Sequence, residues 1–283
     1  MTCRPRRSAL FMPASNARAI EKARSLPCDV VILDLEDAVA PEMKEDARAA
    51  AVAAVKAGGF GSRELVVRVN GLDTKWGADD LAALRDVSVD AVLVPKVSGP
   101  EPLAEARSML DAPLWAMIET CRAMLNLREI VDAGAAALVA GTNDLAKEMR
   151  CRPGPDRAPL VPLLAQIVVA ARAGGIAALD GVSNAIDDPE VVVAECRQGL
   201  ELGFDGKTLI HPSQIGPANR AFTPDAEEVA WAEKVATAFA APENRGRGAI
   251  RVEGRMVELL HLEEAQRVLA VASAAAGGAA GED

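Results

Sequence analysis

The sequence predicts an α/β fold in which eight parallel β-strands alternate with helices and close into a (β/α)8 TIM barrel, followed by a C-terminal helical lid or arm. The first observation behind this prediction is that short β-branched runs alternate with longer alanine-rich stretches of helical periodicity. The second is that the step from one apolar run to the next is roughly 30 residues, the size of one strand-helix unit. The third is that the chain lacks the Gly-x-Gly-x-x-Gly and phosphate-loop motifs of nucleotide-binding open sheets.

Eight apolar runs are the candidate strands. They are apolar nearly throughout, which is typical of parallel strands that are covered on both faces. In chain order they are 8–12, 30–35, 65–69, 91–95, 114–118, 137–140, 176–179 and 207–210. Eight strands suit a closed barrel better than an open doubly wound sheet, which usually has about five or six.

The alanine-rich stretches between these runs are the candidate helices, and several open with Ser, Asp, Asn or Pro, the residues favoured at helix starts. Examples are 16–25, 42–56, 79–85, 122–132, 160–173 and 189–202. After the eighth strand the pattern changes to a helix over 225–240, a β-like pair at 250–252 and 256–257, and a helix that ends near residue 275. We therefore divide the chain into a TIM-barrel catalytic domain (1–223), appended helices that form a lid (224–276) and a disordered tail (277–283).

Charge and composition exclude several classes of function. The 283-residue chain carries 41 acidic and 31 basic residues, so its surface would on average repel a nucleic-acid backbone. It contains no tyrosine and 3% aromatic residues, too few for platforms on which single-stranded bases stack. The five cysteines form no Cys-x-x-Cys pair, and no apolar run suits a membrane helix or a signal peptide. We expect a cytoplasmic protein with reduced thiols that acts on small molecules.

Charged and polar residues follow nearly every candidate strand. In a barrel of this type the active site forms at the carboxyl ends of the strands, so these residues would converge at one mouth. The set comprises Asp34, Glu36, Asp37, Arg68, Asn70, Lys96, Glu119, Asp144, Asp180 and His211. A single acid at a strand end is often only a helix cap or a solvated loop residue, but a ring that mixes both signs of charge is harder to explain by solvation.

Glu119 and Asp144 follow adjacent candidate strands and would bring two carboxylates to one point. Two such oxygen ligands, with the other positions left to water and substrate, are how Mg2+ is commonly held. The alternatives are that Asp144 caps the next helix and that Glu119 pairs with Arg122 or Arg68. Arg68 is suited to binding a carboxylate, because a guanidinium donates two parallel hydrogen bonds and stays charged. A metal and an arginine at one site imply a small oxygen-rich anion such as a 2-oxo acid.

The two histidines do not assemble a nucleophile. His211 precedes a proline at the end of a candidate strand and is expected to be a structural cap, and His261 lies in the appended segment. No Ser-His-Asp or Cys-His set emerges, and the charges around Lys96 argue against the buried apolar site that a Schiff-base lysine needs.

Six runs in a fixed order resemble the HpcH/HpaI aldolase and citrate lyase family, and within it the citrate lyase beta-subunit-like branch that also contains malyl-CoA and related acyl-CoA lyases. The runs are RSALFMP at 7–13, ILDLEDAV at 32–39, VRVN at 67–70, MIET at 117–120, GTNDL at 141–145, and GFDGK at 203–207 with IHP at 210–212. The resemblance covers nearly the whole chain. It implies a TIM barrel that forms or cleaves a carbon-carbon bond beta to a carboxylate or thioester with the help of Mg2+.

The resemblance also implies roles by motif. Glu119 and Asp144 match the family's metal ligands, which places Glu119 at the substrate, and Arg68 matches the arginine that grips the substrate carboxylate. Glu36 and Asp37 match an acidic pair that hydrogen-bonds metal-bound waters and orients the site. The metal would chelate the 2-oxo acid and act as a Lewis acid on its oxygens.

The resemblance places the acid/base in the appended segment. Aligned on the run GRMV at 254–257, the family usually has an aspartate where this chain has Glu258, and a proline where it has Leu260. That aspartate is the proposed acid/base of the family, so we expect Glu258 to transfer a proton to and from the thioester enolate. Its carboxylate sits roughly 1 to 1.5 Å further out than that of an aspartate, a distance that matters for proton transfer.

Two other departures lie in the loops of the mouth, where Ala14 and Cys121 replace a glycine and a proline or alanine that family members commonly have. They put the identity of the acyl group in doubt. A CoA tail needs a basic rim, which Arg6, Arg18 and Lys22 near the first strand-helix turn would supply unless they are only solvated surface charges.

These inferences together predict a Mg2+-dependent carbon-carbon lyase that acts on a beta-hydroxyacyl-CoA or on a citryl or malyl thioester and releases or condenses a small 2-oxo acid. The resemblance suggests a homotrimer in which segment 249–271 closes a neighbour's site. One alternative is a metal-dependent aldolase that acts on pyruvate-type oxo acids without CoA. The other is a non-catalytic member that binds an acyl-CoA.

Overall fold

Eight parallel strands in the described part of the chain, residues 4–279 of the computed structural model, hydrogen-bond in sequence order. The sheet closes into a barrel because the first strand pairs with both the second and the eighth. The strands are β1 (Ser8–Pro13), β2 (Val30–Asp34), β3 (Glu64–Arg68), β4 (Ala91–Val94), β5 (Leu114–Ile118), β6 (Ala137–Ala140), β7 (Ala177–Asp180) and β8 (Gly206–Leu209). The predicted (β/α)8 barrel is therefore confirmed.

Strand boundaries agree with the sequence pattern to within a residue at each end. The predicted run 30–35 is one residue too long, because the carboxylate of Asp34 turns the chain out of the sheet at that point. Its Oδ1 accepts the backbone N–H of Glu36 at 2.9 Å, and its Oδ2 accepts that of Ala38 at 3.1 Å. Asp34 is thus the last residue of β2 and the start of the loop that carries Glu36 and Asp37.

Helices surround the barrel and connect its strands. They are α1 (Ala17–Ala23), α2 (Lys44–Ala57), α3 (Gly77–Leu84), α4 (Glu101–Met109), α5 (Cys121–Leu125), α6 (Leu127–Asp132), α7 (Thr142–Met149), α8 (Val161–Ala173), α9 (Pro189–Leu202) and α10 (Ile215–Ala221). The helices given as examples from the sequence did not include α4, α7 or α10, and one helix was predicted over 122–132 where the structure has two. The break falls at Asn126, whose backbone leaves the helical region and whose side chain donates to the Ser98 carbonyl at 2.8 Å.

Alternation along the strands divides the core into two layers. Small and large apolar side chains that include Phe11, Ile32, Trp115 and Met117 fill the barrel interior. The intervening strand residues pack outward against the helices in a larger cluster. By this alternation, Asp34 and Arg68 point inward at the carboxyl ends of β2 and β3, two residues beyond Ile32 and Val66 of the interior layer.

The chain divides into two compact units, one of which is Arg6–Phe222, and the other contains the chain from Thr223 onward. In the second unit, α11 (Ala226–Ala240) is followed by a hairpin of β9 (Ala249–Val252) and β10 (Arg255–Glu258) and by α12 (Leu259–Ala279). The hairpin turn is Glu253-Gly254, both at positive φ (46° and 85°), as a two-residue turn of this kind requires. Of the tail predicted to be disordered (277–283), residues 277–279 belong to α12, and residues 280–283 lie outside the described residues.

No helix among the described residues combines the length and apolarity that a membrane span requires. The cysteines Cys28, Cys121, Cys151 and Cys196 are free thiols.

Candidate active site at the barrel mouth

The carboxyl ends of the strands surround a cavity of about 300 Å³. Arg68 ends β3, Glu119 follows β5 directly, and Asp144 lies in the first turn of α7 after β6. These three side chains line the cavity together with Asp34 and Asp37. The apolar part of the lining contains Phe11, Met117, Val182 and Ile210. The predicted convergence of Arg68, Glu119 and Asp144 is therefore what the structure shows.

Arg68 is buried and already holds a carboxylate of this chain. Its Nε and Nη2 donate to the two oxygens of Asp34 at 2.7 and 2.6 Å, and its guanidinium stacks over the Phe11 ring at 4.7 Å. Burial opposes the charge, but the hydrogen bonds and charge of Asp34 raise the pKa of Arg68 above its ordinary value. The Nε and Nη2 edge of the guanidinium, which we expected to bind a substrate carboxylate, is thus occupied by Asp34. A substrate carboxylate has to use the remaining N–H groups, chiefly those of Nη1.

Glu36 and Asp37 flank that Nη1 group at different degrees of burial. Glu36 Oε2 lies 2.8 Å from Arg68 Nη1 without the angle of a hydrogen bond, and Asp37 Oδ2 lies 3.7 Å away. Burial raises the pKa of Glu36 to about 7, although the charge of Arg68 lowers it. The side chain of Asp37 is 66% exposed, so water reaches it freely.

Glu36, Glu119 and Asp144 form what we call the carboxylate cluster. Glu119 is 2% exposed, and burial raises its pKa, whereas the side chain of Asp144 is 34% exposed. Neither of the alternatives considered from the sequence describes their contacts. Asp144 lies inside α7, whose N-cap is Gly141, and Glu119 accepts a hydrogen bond from the backbone of Lys96 at 2.7 Å.

Lys96 is the residue that sequence reasoning undervalued. Its ammonium forms an ion pair with Asp144 and lies 3.7 Å from Glu119 and 4.0 Å from Glu36. The sequence named Lys96 only as a member of the polar ring and as an argument against a Schiff base. Its position directly beyond β4, next to strand ends that carry acids, was the signal that it faces the same mouth.

Two other residues that the sequence did not single out shape the site. Lys44 is buried and donates to the backbone carbonyls of Leu35 and Glu36 at 2.8 and 2.7 Å, which fixes the loop after β2. Gly141 lies so close to Glu119 that a β-carbon there would be 2.3 Å from Glu119 Cβ. Glycine is therefore required at 141 for Glu119 to occupy its place.

The residues present suit a hard divalent cation. Three carboxylates already surround one positive group, the ammonium of Lys96, and oxygen ligands are those that Mg2+ prefers. Within residues 4–279, no three acidic, histidine or cysteine side chains are gathered tightly enough to form a complete cage. Glu119 and Asp144 would therefore hold the ion with water and substrate completing its shell, as the sequence predicts.

Part of the polar ring is structural and lies away from the cavity. Asn70 is buried and bonds to Asp80 Oδ2 at 2.6 Å, and Asp180 is buried among Arg157 and Lys207. His211 is the predicted cap: its Nδ1 accepts the backbone N–H of Ser213 at 3.2 Å. The ring was thus correct for the acids after β2, β5 and β6 and for Arg68 and Lys96, but it was too inclusive for Asn70, Asp180 and His211.

A model of the HpcH/HpaI aldolase/citrate lyase family matches residues 7–212, which is most of the chain and all of the barrel mouth. The chain belongs to this family. Among curated relatives of this family member, (3S)-malyl-CoA thioesterase from Cereibacter sphaeroides is 46% identical over 96% of both chains. Citrate lyase subunit beta from Leuconostoc mesenteroides is 33% identical over 96% of this chain and 94% of the relative.

One solved structure from a citrate lyase relative can be superposed on nearly all of this chain. It is CitE from Mycobacterium tuberculosis in complex with magnesium, acetoacetate and coenzyme A, with a TM-score of 0.78 and 32% identity over 95% of this chain and 98% of that chain. The citrate lyase beta-like branch that the sequence motifs resemble is thereby confirmed.

Three basic residues were expected to form a rim for CoA at the barrel mouth, and Arg6 lies apart from the other two. Arg18 and Lys22 are exposed on α1, directly after β1, as a rim on the mouth requires. The expectation for Arg6 is wrong. Its guanidinium pairs with Glu64, the first residue of β3, at 2.6 Å and covers the Trp115 ring, so it belongs to the amino ends of the strands, opposite the mouth.

Glu258 is the last residue of β10 in the second unit. It is exposed, and its backbone N–H donates to Nδ1 of His261 at 2.9 Å. Glu253, the other acid considered for proton transfer, is in an ion pair with Lys234 at 2.7 Å. The acid/base role of Glu258 remains a prediction.

Proposed function

We propose that this chain is a magnesium-dependent enzyme that cleaves a short hydroxyacyl-CoA thioester of the malyl type. The observation that carries the proposal is the barrel mouth, where the buried carboxylates of Glu36 and Glu119 and that of Asp144 surround one cation next to Arg68. The solved relative with magnesium and coenzyme A, and the relatives named for malyl-CoA and citrate, support the class of substrate.

Carbon-carbon cleavage is the reaction that this geometry supports best. In that reaction the hydroxyl of the substrate loses its proton and becomes the carbonyl of a 2-oxo acid, and the electrons of the broken bond form a thioester enolate that takes up a proton. Glu119 and Asp144 would hold the metal, and the N–H groups of Arg68 that do not bond to Asp34 bind the carboxylate of the oxo-acid half. Mg2+, when bound, supplies Lewis-acid stabilisation of the developing oxyanion.

The surrounding residues orient these groups. Asp34 fixes the plane of the Arg68 guanidinium through two hydrogen bonds, and Glu36 lies against Nη1. The apolar residues of the lining, among them Phe11 and Met117 against Arg68, displace water from these charges and so strengthen the charge interactions. Glu258 is our candidate for the proton transfer to and from the enolate.

Hydrolysis of the thioester is the second candidate, and one observation favours it. The relatives with 46% identity over nearly the whole chain are named as (3S)-malyl-CoA thioesterase, whereas the citrate lyase relative is 33% identical. Both reactions begin with the same bound substrate and differ in which bond breaks. Hydrolysis releases a hydroxy acid and the free CoA thiol.

One assay separates these reactions. The purified full-length protein is incubated with (3S)-malyl-CoA, citramalyl-CoA and citryl-CoA, with Mg2+ or with EDTA, and both products are measured. Carbon-carbon cleavage yields a 2-oxo acid without free thiol, and hydrolysis yields free thiol without a 2-oxo acid. We expect the 2-oxo acid, only in the presence of Mg2+. Free thiol alone would replace the first candidate by the second.

Two variants test the metal ligands. Glu119→Gln and Asp144→Asn keep the size of each side chain and remove its charge, so turnover should fall by roughly a hundredfold or more in each. Glu129→Gln on α6, an exposed glutamate, is the matched control and should behave like the unaltered protein. Near-normal Mg2+-dependent turnover in either site variant would contradict the assignment.

A further inference from the structure

The backbone at Lys96 has an uncommon conformation at the point where this side chain meets the carboxylate cluster. Lys96 has a φ of 54°, in the left-handed region that residues with a β-carbon rarely adopt. Its N–H donates to Glu119 Oε1 at 2.7 Å, so the same residue contacts the cluster through both its backbone and its side chain. A conformation of this kind persists where the surrounding contacts compensate for it.

The ammonium of Lys96 is the positive charge at the centre of the cluster. It forms an ion pair with Asp144 and lies within 4.0 Å of both Glu119 and Glu36. Two of these carboxylates are buried, and buried carboxylates require a nearby positive charge. The side chain of Lys96 is 39% exposed, so its flexible stem has open solvent into which it can swing.

We propose that Lys96 is the internal counter-ion of the carboxylate cluster, and that Mg2+ has to displace its ammonium from Asp144 in order to bind. The proposal rests on the proposed function, since it takes Glu119 and Asp144 as the metal ligands. Lys96 is on this account a positioning residue. It keeps the carboxylates gathered and charge-balanced before the metal arrives, and it lowers the affinity of the site for the metal.

Electrostatics fix the sign of both effects. A lysine ammonium and a divalent ion at a few ångströms repel each other, and the ion pair with Asp144 must also be broken before that carboxylate is available. Removal of the lysine charge should therefore tighten Mg2+ binding. The same removal should destabilise the metal-free protein, because Arg68, which lies against Glu36, is then the positive charge left to offset the repulsion among the carboxylates.

The test is a calorimetric titration of the full-length protein with Mg2+ alone at low ionic strength, which measures Kd for Mg2+. It is carried out on the unaltered protein, Lys96→Met and Lys96→Arg. Methionine is an unbranched side chain one heavy atom shorter than lysine and carries no charge, so Kd for Mg2+ should fall by about tenfold or more. Arginine keeps the charge, so Lys96→Arg should stay within about threefold of the unaltered protein. Lys147→Met, an exposed lysine on α7, is the matched control and should change Kd little.

Thermal melting separates this role from a merely structural one. Lys96→Met should melt at a lower temperature than the unaltered protein without Mg2+, and saturating Mg2+ should remove most of that difference. An unchanged or weaker Mg2+ affinity in Lys96→Met, or a loss of melting temperature that Mg2+ does not restore, would overturn the proposal while leaving the metal site intact. Absence of Mg2+ binding in the unaltered protein would overturn both the metal site and the role of Lys96.

Discussion

The backbone of Gly141 passes so close to Glu119 that a β-carbon would lie 2.3 Å from Glu119 Cβ and 2.7 Å from its Oε2. Such a contact cannot be relieved by a small shift of a flexible side-chain end, because the Cβ of Glu119 is attached to the backbone directly after β5. Gly141→Ala should therefore move the Glu119 carboxylate and weaken Mg2+ binding by at least about tenfold. Calorimetric titration measures the change. Gly248→Ala, where the added carbon meets nothing within 4 Å, is the control.

Arg68 offers a second test at the scale of one residue. A lysine at this position cannot donate two parallel hydrogen bonds to Asp34 and still present N–H groups to a ligand. Loss of a partner for a buried charge costs about 2 to 5 kcal/mol of binding, so Arg68→Lys should weaken binding of glyoxylate or oxaloacetate much more than that of CoA. Competition assays with each ligand measure the two affinities separately. Equal losses for both ligands would show that Arg68 serves only the fold.

Asp180, at the end of β7, anchors a buried network that joins three elements of the barrel wall. It accepts hydrogen bonds from Arg157 at 3.0 Å and from Lys207 of β8 at 2.9 Å, and Lys207 also pairs with Glu195 of α9 at 3.0 Å. Removal of one charge from a buried pair typically costs about 3 to 5 kcal/mol, so Asp180→Asn should lower the free energy of unfolding by that order. Urea denaturation measures it. Asp132→Asn, in the exposed pair with Arg128, should change stability by less than about 1 kcal/mol.

The same network predicts a dependence on pH. Burial alone would raise the pKa of Asp180, but the charges of Lys207 and Arg157 outweigh it and hold the pKa below its ordinary value. The folded pKa is thus below the unfolded one, about 3.9, so the stabilisation is fully present above roughly pH 4 and is lost as the pH falls further. The stability difference between the unaltered protein and Asp180→Asn should shrink when measured from pH 7 down to pH 3. A constant difference over this range would contradict the assignment.

Glu258, at the end of β10, tests the role of the hairpin. Glu258→Gln keeps the shape of the side chain and removes its ability to exchange a proton, so turnover should fall by about a hundredfold or more while Mg2+ and oxo-acid affinities stay unchanged. Steady-state kinetics and titration together measure this. Normal turnover in Glu258→Gln would move the role to another acid, and Glu253 and Asp37 are the next to substitute.

Elements were predictable where the sequence carries a periodic signal. The strand runs are continuous in apolar residues, so their positions and parallel character could be read directly. The bounds of helices α4, α7 and α10 were harder to predict, because these helices are short and none of their starts has a side-chain cap. Contacts between side chains that end or follow different strands, such as Asp34 with Arg68 and Lys96 with Asp144, depend on exact backbone geometry. The motifs contain Asp34, Arg68 and Asp144 but not Lys96, and they indicate none of these pairings.

At the scale of the whole molecule, the second unit leaves apolar side chains in solvent. Met256, Leu259 and Leu260 are 73, 50 and 59% exposed, and adjoining exposed apolar residues often mark a subunit contact. We expect the protein to be a homotrimer, as the family resemblance suggests. Light scattering at assay concentration should give three times the chain mass, and Leu260→Glu should shift the population to smaller species with reduced turnover. A fully active monomer would contradict this expectation.

The pairing of Arg68 with Asp34 has a thermodynamic consequence for ligand binding. A free arginine side chain loses about 1.5 to 2 kcal/mol of rotamer entropy when a ligand immobilises it. Here two hydrogen bonds to Asp34 and the stacked Phe11 ring already fix the guanidinium before any ligand arrives. The immobilisation occurs during folding, so the carboxylate of an oxo acid meets a rigid donor and binds without that entropic penalty.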